Sequence, residues 1–539
     1  MARTAFGGGG DVGDTNGMKS IMSMLGILLL SGSALAAPAD YFAIRVVDDA
    51  TGRGVPLITL QTTSKANYYT DSNGYVAFFE PGLMNTEVWF GISSPGYEFP
   101  GESFGFRGTP LKAVPGTEAV LKVRRVNLAE RIYRLTGQGI YRDTLLLGKK
   151  SPVKEGALNR SVTGQDSAFA TEYRGELFWL WGDTNRAQHP LGNFFVAAAR
   201  VKLPGKGGLD PSVGVDFEYF WNEATNFTKE MCRISQESKP IWLDSLLVVK
   251  DESGRDRLMA RFARTGADLI AVDQGLVIYN DEKEVFEHYK TFPLGENRIV
   301  MNHQLRAVVG GVEYFYGVSP YPWIRVPATF AGVGNPEAYE VFTCLTAGPG
   351  SAVDRGADGR AVWKWRKGVQ PLDRRALLDL HKSGELSREE TPFDLTDVET
   401  GKPVNLHGGS VYWNEYRKRW IMIGVEIDGA SYLGEVWYAE ANAPEGPWKA
   451  ARKVATHAEK DRNMDLYNPV MHPYFNQQGG RIIYFEGTYT NSFSGTKHQT
   501  PYYEYNQLMY RLDLGDPRLK LPEPPPGLSD AKPSPNGPS

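Results

Sequence analysis

Five polar residues stand at the start of five similar segments of the chain: Asp166, Asp244, His303, His407 and His472. Each segment continues with an apolar run, a turn rich in glycine or charged residues, and a second apolar run, as in "LHGGSVYWNEYRKRWIMIGV". Two carboxylates and three imidazoles could transfer protons or bind a divalent metal if the fold brought them together. The pattern therefore predicts a fold in which five strands open onto one pocket.

The elements that must position these residues are short strands. Apolar and polar residues alternate between turns of Gly, Asn and Asp, 12% of the residues are aromatic, and long helical patterns are nearly absent. The five segments recur at intervals of roughly 60 to 100 residues, which accommodates a four-stranded propeller blade of about 40 to 50 residues plus loops. We predict an all-β chain with a five-bladed β-propeller. A seven-bladed ring and a two-sheet sandwich are the alternatives.

The propeller is expected over residues 128–521, with three other parts around it. Residues 1–37 contain "MKSIMSMLGILLLSGSALAAP", whose lysine, apolar core and small residues predict a signal peptide and a secreted or periplasmic protein. Residues 38–127 alternate in short runs and predict a small antiparallel β-sandwich. Residues 522–539 are Pro-rich and are expected to be disordered.

Two further elements are predicted within the propeller. The segment "YRLTGQGIYRDTLLLG", which begins at Tyr133, could supply the outer strand of the last blade and so remove an exposed sheet edge. The spacing of Leu377, Leu378 and Leu380 predicts one short amphipathic helix in an insertion.

Charge and cysteine content narrow the functional classes. The balance of 59 Lys and Arg against 63 Asp and Glu argues against a nucleic-acid partner. The apolar core of the predicted signal peptide is too short for a membrane span. We expect the protein to be a monomer. Only Cys232 and Cys344 are present, and whether they pair is open. No phosphate loop, nucleophile elbow or CxxC motif occurs in the sequence.

The stretch "GQDSAFATEYRGELFWLWGDT" resembles the first blade of the five-bladed β-propeller glycoside hydrolases, the arabinanase-like superfamily. The resemblance implies that Asp166 is the general base and that Asp244 orients the acid. The acid would be a Glu on the third blade, where the matching position holds His303, with Glu337 and Glu340 nearby. Some similar propellers that cleave anhydro-galactose units are believed to use histidine, so His303 is also a candidate.

The sandwich segment has a resemblance of its own. "VDDATGRGVP" followed by "TDSNG" is similar to carboxypeptidase-regulatory-like or transthyretin-like modules of secreted enzymes. Such modules are usually accessory, and the resemblance assigns this one no chemistry.

Other residues could bind or cleave a sugar. Glu486 and Glu435 lie on apolar strands, where a lone carboxylate is costly unless it is paired, so each is either paired or functional. Glu486 is a catalytic candidate and Glu435 a substrate-binding one. Asp183 forms a turn or accepts a sugar hydroxyl. Trp181 and Trp242 stack on sugar rings or fill blade cores.

The imidazoles support a second hypothesis. His303, His407 and His472 together with a carboxylate suit Zn or Mn better than Ca, and no organic cofactor is expected. Such a site resembles propeller lyases that act on uronic polysaccharides. The hypotheses are therefore a secreted glycoside hydrolase, a metal-dependent polysaccharide lyase, and a non-catalytic glycan-binding propeller. The sugar and linkage are open in each case.

Overall fold

The computed structural model describes residues 38–193, 195–235, 239–266, 270–299, 301–318, 320–348, 351–457, 466–490 and 499–538. These residues form a two-sheet sandwich followed by five radially arranged β-sheets, so the predicted all-β fold with a five-bladed propeller is confirmed. The predicted signal peptide, residues 1–37, lies outside the described residues. In the described part of the chain, no helix has the length and apolar character needed to cross a membrane.

The sandwich owes its core to strict alternation of side chains. In its central strand Val88, Phe90 and Ile92 are buried, while the residues between them point outward. The sandwich strands are β1 (Phe42–Asp48), β2 (Thr59–Thr62), β3 (Asn67–Tyr69), β4 (Tyr75–Phe78), β5 (Glu87–Ser93), β6 (Tyr97–Glu98), β7 (Glu102–Ser103), β8 (Phe106–Lys112) and β9 (Glu118–Arg125).

One sandwich sheet has the order β4-β1-β9-β6 and the other β3-β2-β5-β8-β7. Strand β9 runs parallel to β1, with Ala43 opposite Glu118. The prediction of a purely antiparallel sandwich is therefore wrong at this pair. Alternation shows which face of a strand is buried, but it does not show the direction of a partner more than 70 residues away.

After the sandwich, the chain forms β10 (Glu130–Arg134) and the short helix α1 (Arg142–Leu146) before it enters the first blade. Blade 1 has the order β12-β13-β16-β17, and β11, β14 and β15 form a small separate sheet. The strands of this region are β11 (Val162–Gln165), β12 (Phe169–Tyr173), β13 (Glu176–Trp181), β14 (Thr184–Arg186), β15 (His189–Asn193), β16 (Ala197–Val201), β17 (Glu218–Tyr219), β18 (Trp221–Asn222) and β19 (Phe227–Thr228).

Blades 2 and 3 are antiparallel meanders, in which each strand pairs with the next one along the chain. Blade 2 consists of β20 (Ile241–Lys250), β21 (Asp256–Thr265), β22 (Ala271–Asn280) and β23 (Val285–Phe292). Blade 3 consists of β24 (His303–Val309), β25 (Val312–Val318), β26 (Pro322–Pro327), β27 (Glu340–Thr343) and β28 (Lys364–Arg366), with helix α2 (Phe330–Val333) after β26.

The insertion before blade 4 contains α3 (Arg374–Ser383), which confirms the predicted amphipathic helix. The Asp373 side chain accepts a hydrogen bond from the Ala376 N–H at its start, and Gly384 ends it in a left-handed conformation. Leu377 is its buried residue. The helix is followed by β29 (Phe393–Asp397) and by blade 4, with β30 (Leu406–Asn414), β31 (Arg419–Ile427), β32 (Leu433–Ala441) and β33 (Trp448–Thr456).

Blade 5 closes the ring with a strand from the other end of the propeller. It contains β34 (Leu466–Met471), β35 (Ile482–Tyr489) and β36 (Asn506–Asp513), and β10 pairs antiparallel with β36 as its outermost strand. The predicted closure is confirmed, although the closing strand begins at Glu130, three residues before the predicted segment. This pairing joins the first and last strands of the propeller and leaves no gap between them.

The Pro-rich C-terminal segment is ordered over residues 522–538, so the prediction of disorder is wrong there. Its strand β37 (Lys532–Pro533) pairs with Ala307 and Val308 of β24, and the Asn442 side chain donates to the carbonyl groups of Pro524 and Pro525. Proline has a fixed φ angle and therefore loses less backbone entropy on ordering, which makes a segment with few apolar residues easier to hold in place.

The two cysteines do not form a disulfide. Cys232 and Cys344 are both buried and free, and they belong to different hydrophobic clusters. Burial raises the pKa of the Cys232 thiol to about 12 and that of Cys344 to about 11, so both are inert at neutral pH.

Candidate active site at the mouth of the propeller

The innermost strands of the five blades surround one channel. Contacts join β12 to β20, β20 to β24, β24 to β30, and β30 to β34, and the Asn468 amide closes the circle by donating to the Ser167 hydroxyl at 2.7 Å. Asp166 precedes β12, while Asp244, His303 and His407 lie at or near the starts of β20, β24 and β30. The structure thus places four of the five predicted residues at one end of the channel, the mouth.

The fifth predicted residue, His472, lies at the opposite end of its strand. The stretch "MHPYF" was interpreted as the first strand of blade 5, but it forms the end of β34 and the 3₁₀ turn Pro473–Phe475. The strand starts at Leu466, and Tyr467 and Asn468 are the polar residues near that start. Strand β34 is short and is followed by a proline-containing turn of similar composition. The sequence pattern therefore placed the start of the strand too late in the chain.

Asp166 is held by residues of blade 5. The Tyr467 hydroxyl donates to Asp166 Oδ2 at 3.0 Å, and the Tyr505 hydroxyl also hydrogen-bonds to this carboxyl group. Beside it, the Ser167 N–H donates to Thr488 Oγ1 at 3.1 Å. Because these partners lie on a neighbouring blade, closure of the ring positions the Asp166 side chain.

A second carboxyl group, Asp183, lies beside Asp166. The Asp166 N–H donates to the Asp183 carbonyl at 3.3 Å, and the Gly182 N–H donates back to the Asp166 carbonyl at 2.9 Å. A Cβ atom at Gly182 would lie 2.5 Å from Asp166 Oδ1, so only glycine permits this approach. Asp183 Oδ1 accepts a hydrogen bond from the Trp242 indole at 3.2 Å.

The environment raises the pKa of both carboxyl groups. Burial, followed by the charge of Asp183, raises the pKa of Asp166 to about 6. Burial also raises the pKa of Asp183, and the Trp242 hydrogen bond opposes that rise. Asp166 therefore keeps its proton at mildly acidic pH. A group that transfers a proton to the substrate needs this property.

Asp244 is a charge-paired group on blade 2. Arg261 approaches Asp244 Oδ2 at 2.6 Å, and the Ser245 hydroxyl donates to the other carboxylate oxygen. The strand bulges after Asp244, and Ser245 has a φ of 58°, which turns its hydroxyl toward the Met301 N–H at 3.2 Å. The Ser245 hydroxyl thus links blade 2 to the segment that leads into blade 3, while Asp244 and Arg261 pair within blade 2.

The two histidines at the mouth, His303 and His407, do not form a common site. The His303 ring stacks on Phe169 with centroids 4.7 Å apart, and burial followed by the charge of His472 lowers its pKa to about 3. His303 is therefore neutral at pH 7 and is a poor proton donor. His407 is an exposed residue, but its ring is partly surrounded by protein. The loss of hydration there, followed by the charge of Arg374, lowers the pKa of His407.

His472 and Glu486 form a buried pair away from the mouth. The His472 Nε2 atom lies 3.0 Å from Glu486 Oε1, and the His472 ring is 4.4 Å from that of Trp179. Both side chains are at most 1% exposed. Since no substrate can reach it, the predicted catalytic role of Glu486 does not fit this position, and His472 is its partner in the core.

Three other predicted side chains are paired or buried and so are not open to a substrate at the mouth. Glu340 is on the fourth strand of blade 3 and accepts from Arg325 at 2.7 Å, so it is not available as the acid. Glu435 is fully buried and accepts from Ser431, and Trp181 is fully buried in the core between blades 5 and 1. Alternation places such side chains on one face of a sheet, but the neighbouring blade covers that face.

The predicted three-histidine metal site is not formed. Within the described ranges, no three His, Cys, Asp or Glu side chains lie close enough together to hold a metal ion. Metal use at the mouth stays a prediction for which this arrangement offers no set of ligands.

Sequence reasoning missed the tyrosines that hold Asp166 and the arginine that pairs with Asp244. Tyr467 is the second residue of β34, close to the strand start, where a polar side chain also identified Asp166. Tyr505 and Arg261 lie on a loop and on a second strand, where no local pattern distinguishes them.

No family model matches the sequence, and no curated protein matches it. Solved structures with a similar fold include a GH43_1 enzyme from Xanthomonas citri, with 11% identity, 65% of this chain and 87% of that chain covered, and a TM-score of 0.31. An exo-β-1,3-galactanase from Phanerochaete chrysosporium has 10% identity, coverages of 68% and 64%, and a TM-score of 0.33. A GH43 β-xylosidase/α-arabinofuranosidase from a compost microbial metagenome has 10% identity, coverages of 65% and 91%, and a TM-score of 0.31. Similarity at this level assigns no activity.

Proposed function

We propose that the protein is a glycoside hydrolase that cleaves a polysaccharide or its oligosaccharides at the mouth of the propeller. The observation that carries the proposal is the pair of Asp166 and Asp183, in which one carboxyl group has its pKa raised to about 6 beside a second carboxyl group. Glycoside hydrolysis commonly uses two carboxyl groups with different proton affinities, one as acid and one as base or nucleophile.

The roles follow from which group holds the proton. Burial, followed by the charge of Asp183, raises the pKa of Asp166 to about 6, and the Trp242 hydrogen bond favours the ionised form of Asp183, so we assign Asp166 as the general acid and Asp183 as the carboxylate. This assignment reverses the role of base that the family resemblance implied for Asp166. Trp242, which is half-buried and bonded to Asp183, is placed to contact the sugar, and Asp244 with Arg261 positions the neighbouring blade.

Reducing-sugar release from a panel of arabinan, xylan, galactan and polyuronate tests the proposal. Asp166→Asn should lower activity by about a hundredfold or more, because a general acid contributes about 10² to 10⁴ in rate. Glu252→Gln, an exposed substitution in the turn after β20, is the matched control and should keep full activity. Undiminished activity of Asp166→Asn would remove the basis of the assignment.

Two other outcomes would identify the alternative classes. Glycan binding without turnover, unchanged in Asp166→Asn, would indicate a non-catalytic binding propeller. Products with the ultraviolet absorbance of an unsaturated uronate would indicate a lyase. Secretion is part of the proposal, and N-terminal sequencing of exported protein should give a start near residue 38.

A further inference from the structure

The outer face of the sandwich sheet carries a trough whose floor has no side chains. Gly91 of β5 pairs with Gly108 of β8 on one side and with Gln61 of β2 on the other. Both glycines lie on the face opposite the core, because their neighbours Phe90 and Ile92 point inward. The backbone of β5 at Gly91 is therefore partly exposed to a ligand, whereas Gly108 is buried beside the Trp89 ring.

Aromatic side chains form the two walls of this trough. Trp89 precedes Gly91 by two residues and Phe106 precedes Gly108 by two, and because β5 and β8 are antiparallel, the two rings lie on opposite sides of the glycine pair. A Cβ atom at Gly108 would lie 2.8 Å from the Trp89 ring, so glycine there makes room for it. Phe106 is 67% exposed.

The hairpin between β7 and β8 extends the second wall. At its tip Phe104 is fully exposed and has a φ of 51°, which is an unfavourable conformation for a bulky side chain. Folding alone gains nothing from a large apolar ring in that position. Exposed aromatic rings gathered on one face are typical of a binding surface. The trough is an open depression with a volume of about 880 Å³, enough for several sugar rings.

The polar groups of the trough can bind hydroxyls and carboxylates. Gln61 donates to Asn67 Oδ1 at 2.8 Å and accepts from Lys65 at 3.2 Å, so its amide is held in a fixed orientation. Lys65 and Arg107 line the trough, and among the described lining residues there is no carboxylate. The nearest acidic partner of Arg107 is Glu98, at 3.8 Å. The trough therefore favours an anionic ligand.

We propose that this trough binds an acidic glycan, a polysaccharide chain that carries uronate groups. Sugar rings would stack on Trp89 and Phe106, ring hydroxyls would bond to Gln61, and carboxylates would pair with Lys65 and Arg107. The site would hold the protein on its polymer, whatever reaction takes place at the propeller mouth. It gives the sandwich a chemistry that the sequence did not suggest.

Binding is tested with the full chain by affinity electrophoresis and calorimetry. The acidic probes are polygalacturonate and alginate, the neutral ones are xylan and arabinan, and the Asp166→Asn background prevents their consumption. The protein should bind an acidic probe, and Trp89→Ala should weaken binding about tenfold or more through loss of ring stacking. Phe79→Ala, an exposed aromatic of the same sandwich outside the trough, is the control and should bind normally.

A second variant covers the case in which Trp89→Ala unfolds. At Gly91 an added Cβ meets no atom closer than 3.6 Å, so Gly91→Val should fold while it fills the trough, and binding should be lost. Lys65→Gln should weaken acidic glycans and reduce the dependence on salt. Equal binding of neutral glycans, binding that survives Gly91→Val, or no binding at all would overturn the proposal. Turnover of short oligosaccharides depends on the residues of the propeller mouth and not on the trough, so the two proposals can fail separately.

Discussion

Replacing Asp166 with asparagine should lower the rate of hydrolysis by about a hundredfold or more and also stabilise the folded protein above pH 6. Burial and the charge of Asp183 raise the pKa of this carboxyl group from 3.8 to about 6 in the folded protein. In the unfolded chain both causes are absent, and the pKa is about 3.9. Asparagine has the same shape and keeps a carbonyl oxygen that can accept from Tyr467, so packing should be preserved.

The magnitude follows from the difference between the two states. The folded protein binds this proton more tightly, so the cost of ionising Asp166 is absent below about pH 4, grows between about pH 4 and pH 6, and is complete above that range. A rise from 3.8 to about 6 corresponds to about 3 kcal/mol, at about 1.4 kcal/mol for each pH unit. Asp166 is only half-buried, and solvent screening reduces the value, so we expect Asp166→Asn to gain about 1–2 kcal/mol at pH 8.

Equilibrium urea unfolding at pH 8 and pH 4, followed by tryptophan fluorescence, measures this difference. Asp166→Asn should have the higher free energy of unfolding at pH 8, and the gain should shrink severalfold at pH 4. Glu252→Gln should match the unsubstituted protein at both pH values. A gain of equal size at both, or a loss at pH 8, would refute the reasoning, because it would mean that Asp166 does not have a raised pKa in the folded protein.

Three further results are expected. Asp183→Asn should lower the pKa of Asp166, since it removes a neighbouring negative charge, and NMR titration of the Asp166 carboxyl group should show that ionisation at lower pH; an unchanged titration would contradict the pairing. His472→Ala should cost about 3 kcal/mol or more in urea unfolding, because it leaves Glu486 buried without its partner, and His472→Gln, which can still donate, should recover part of that loss. Removal of residues 522–539 should lower the melting temperature, because it uncovers the edge of β24; an equal melting temperature would mean that the segment contributes nothing to stability.

Much of the fold could be predicted because the local sequence of a strand shows which of its side chains are buried. Alternating side chains show which face of each strand is covered, and polar turns show where strands end, so the five blades and their closing strand could be predicted without knowledge of their partners. Helix α3 could also be predicted, because its N-terminal cap at Asp373 and its C-terminal glycine at Gly384 are local sequence features. Asp166 was identified because a carboxylate immediately before an apolar strand rarely serves packing.

What the sequence by itself determined is therefore the set of strands, their order, and the polar residues that begin them. Only the tertiary structure decided which of those residues are exposed together at the mouth of the propeller. Glu435 and Glu486 look like reactive carboxylates along the chain, yet neighbouring elements cover both, while the partners that hold Asp166, Tyr467 and Tyr505, come from the far end of the propeller. The physical reason is that burial and charge act through space over a few ångströms, and closure of the ring places residues some 300 positions apart within that distance.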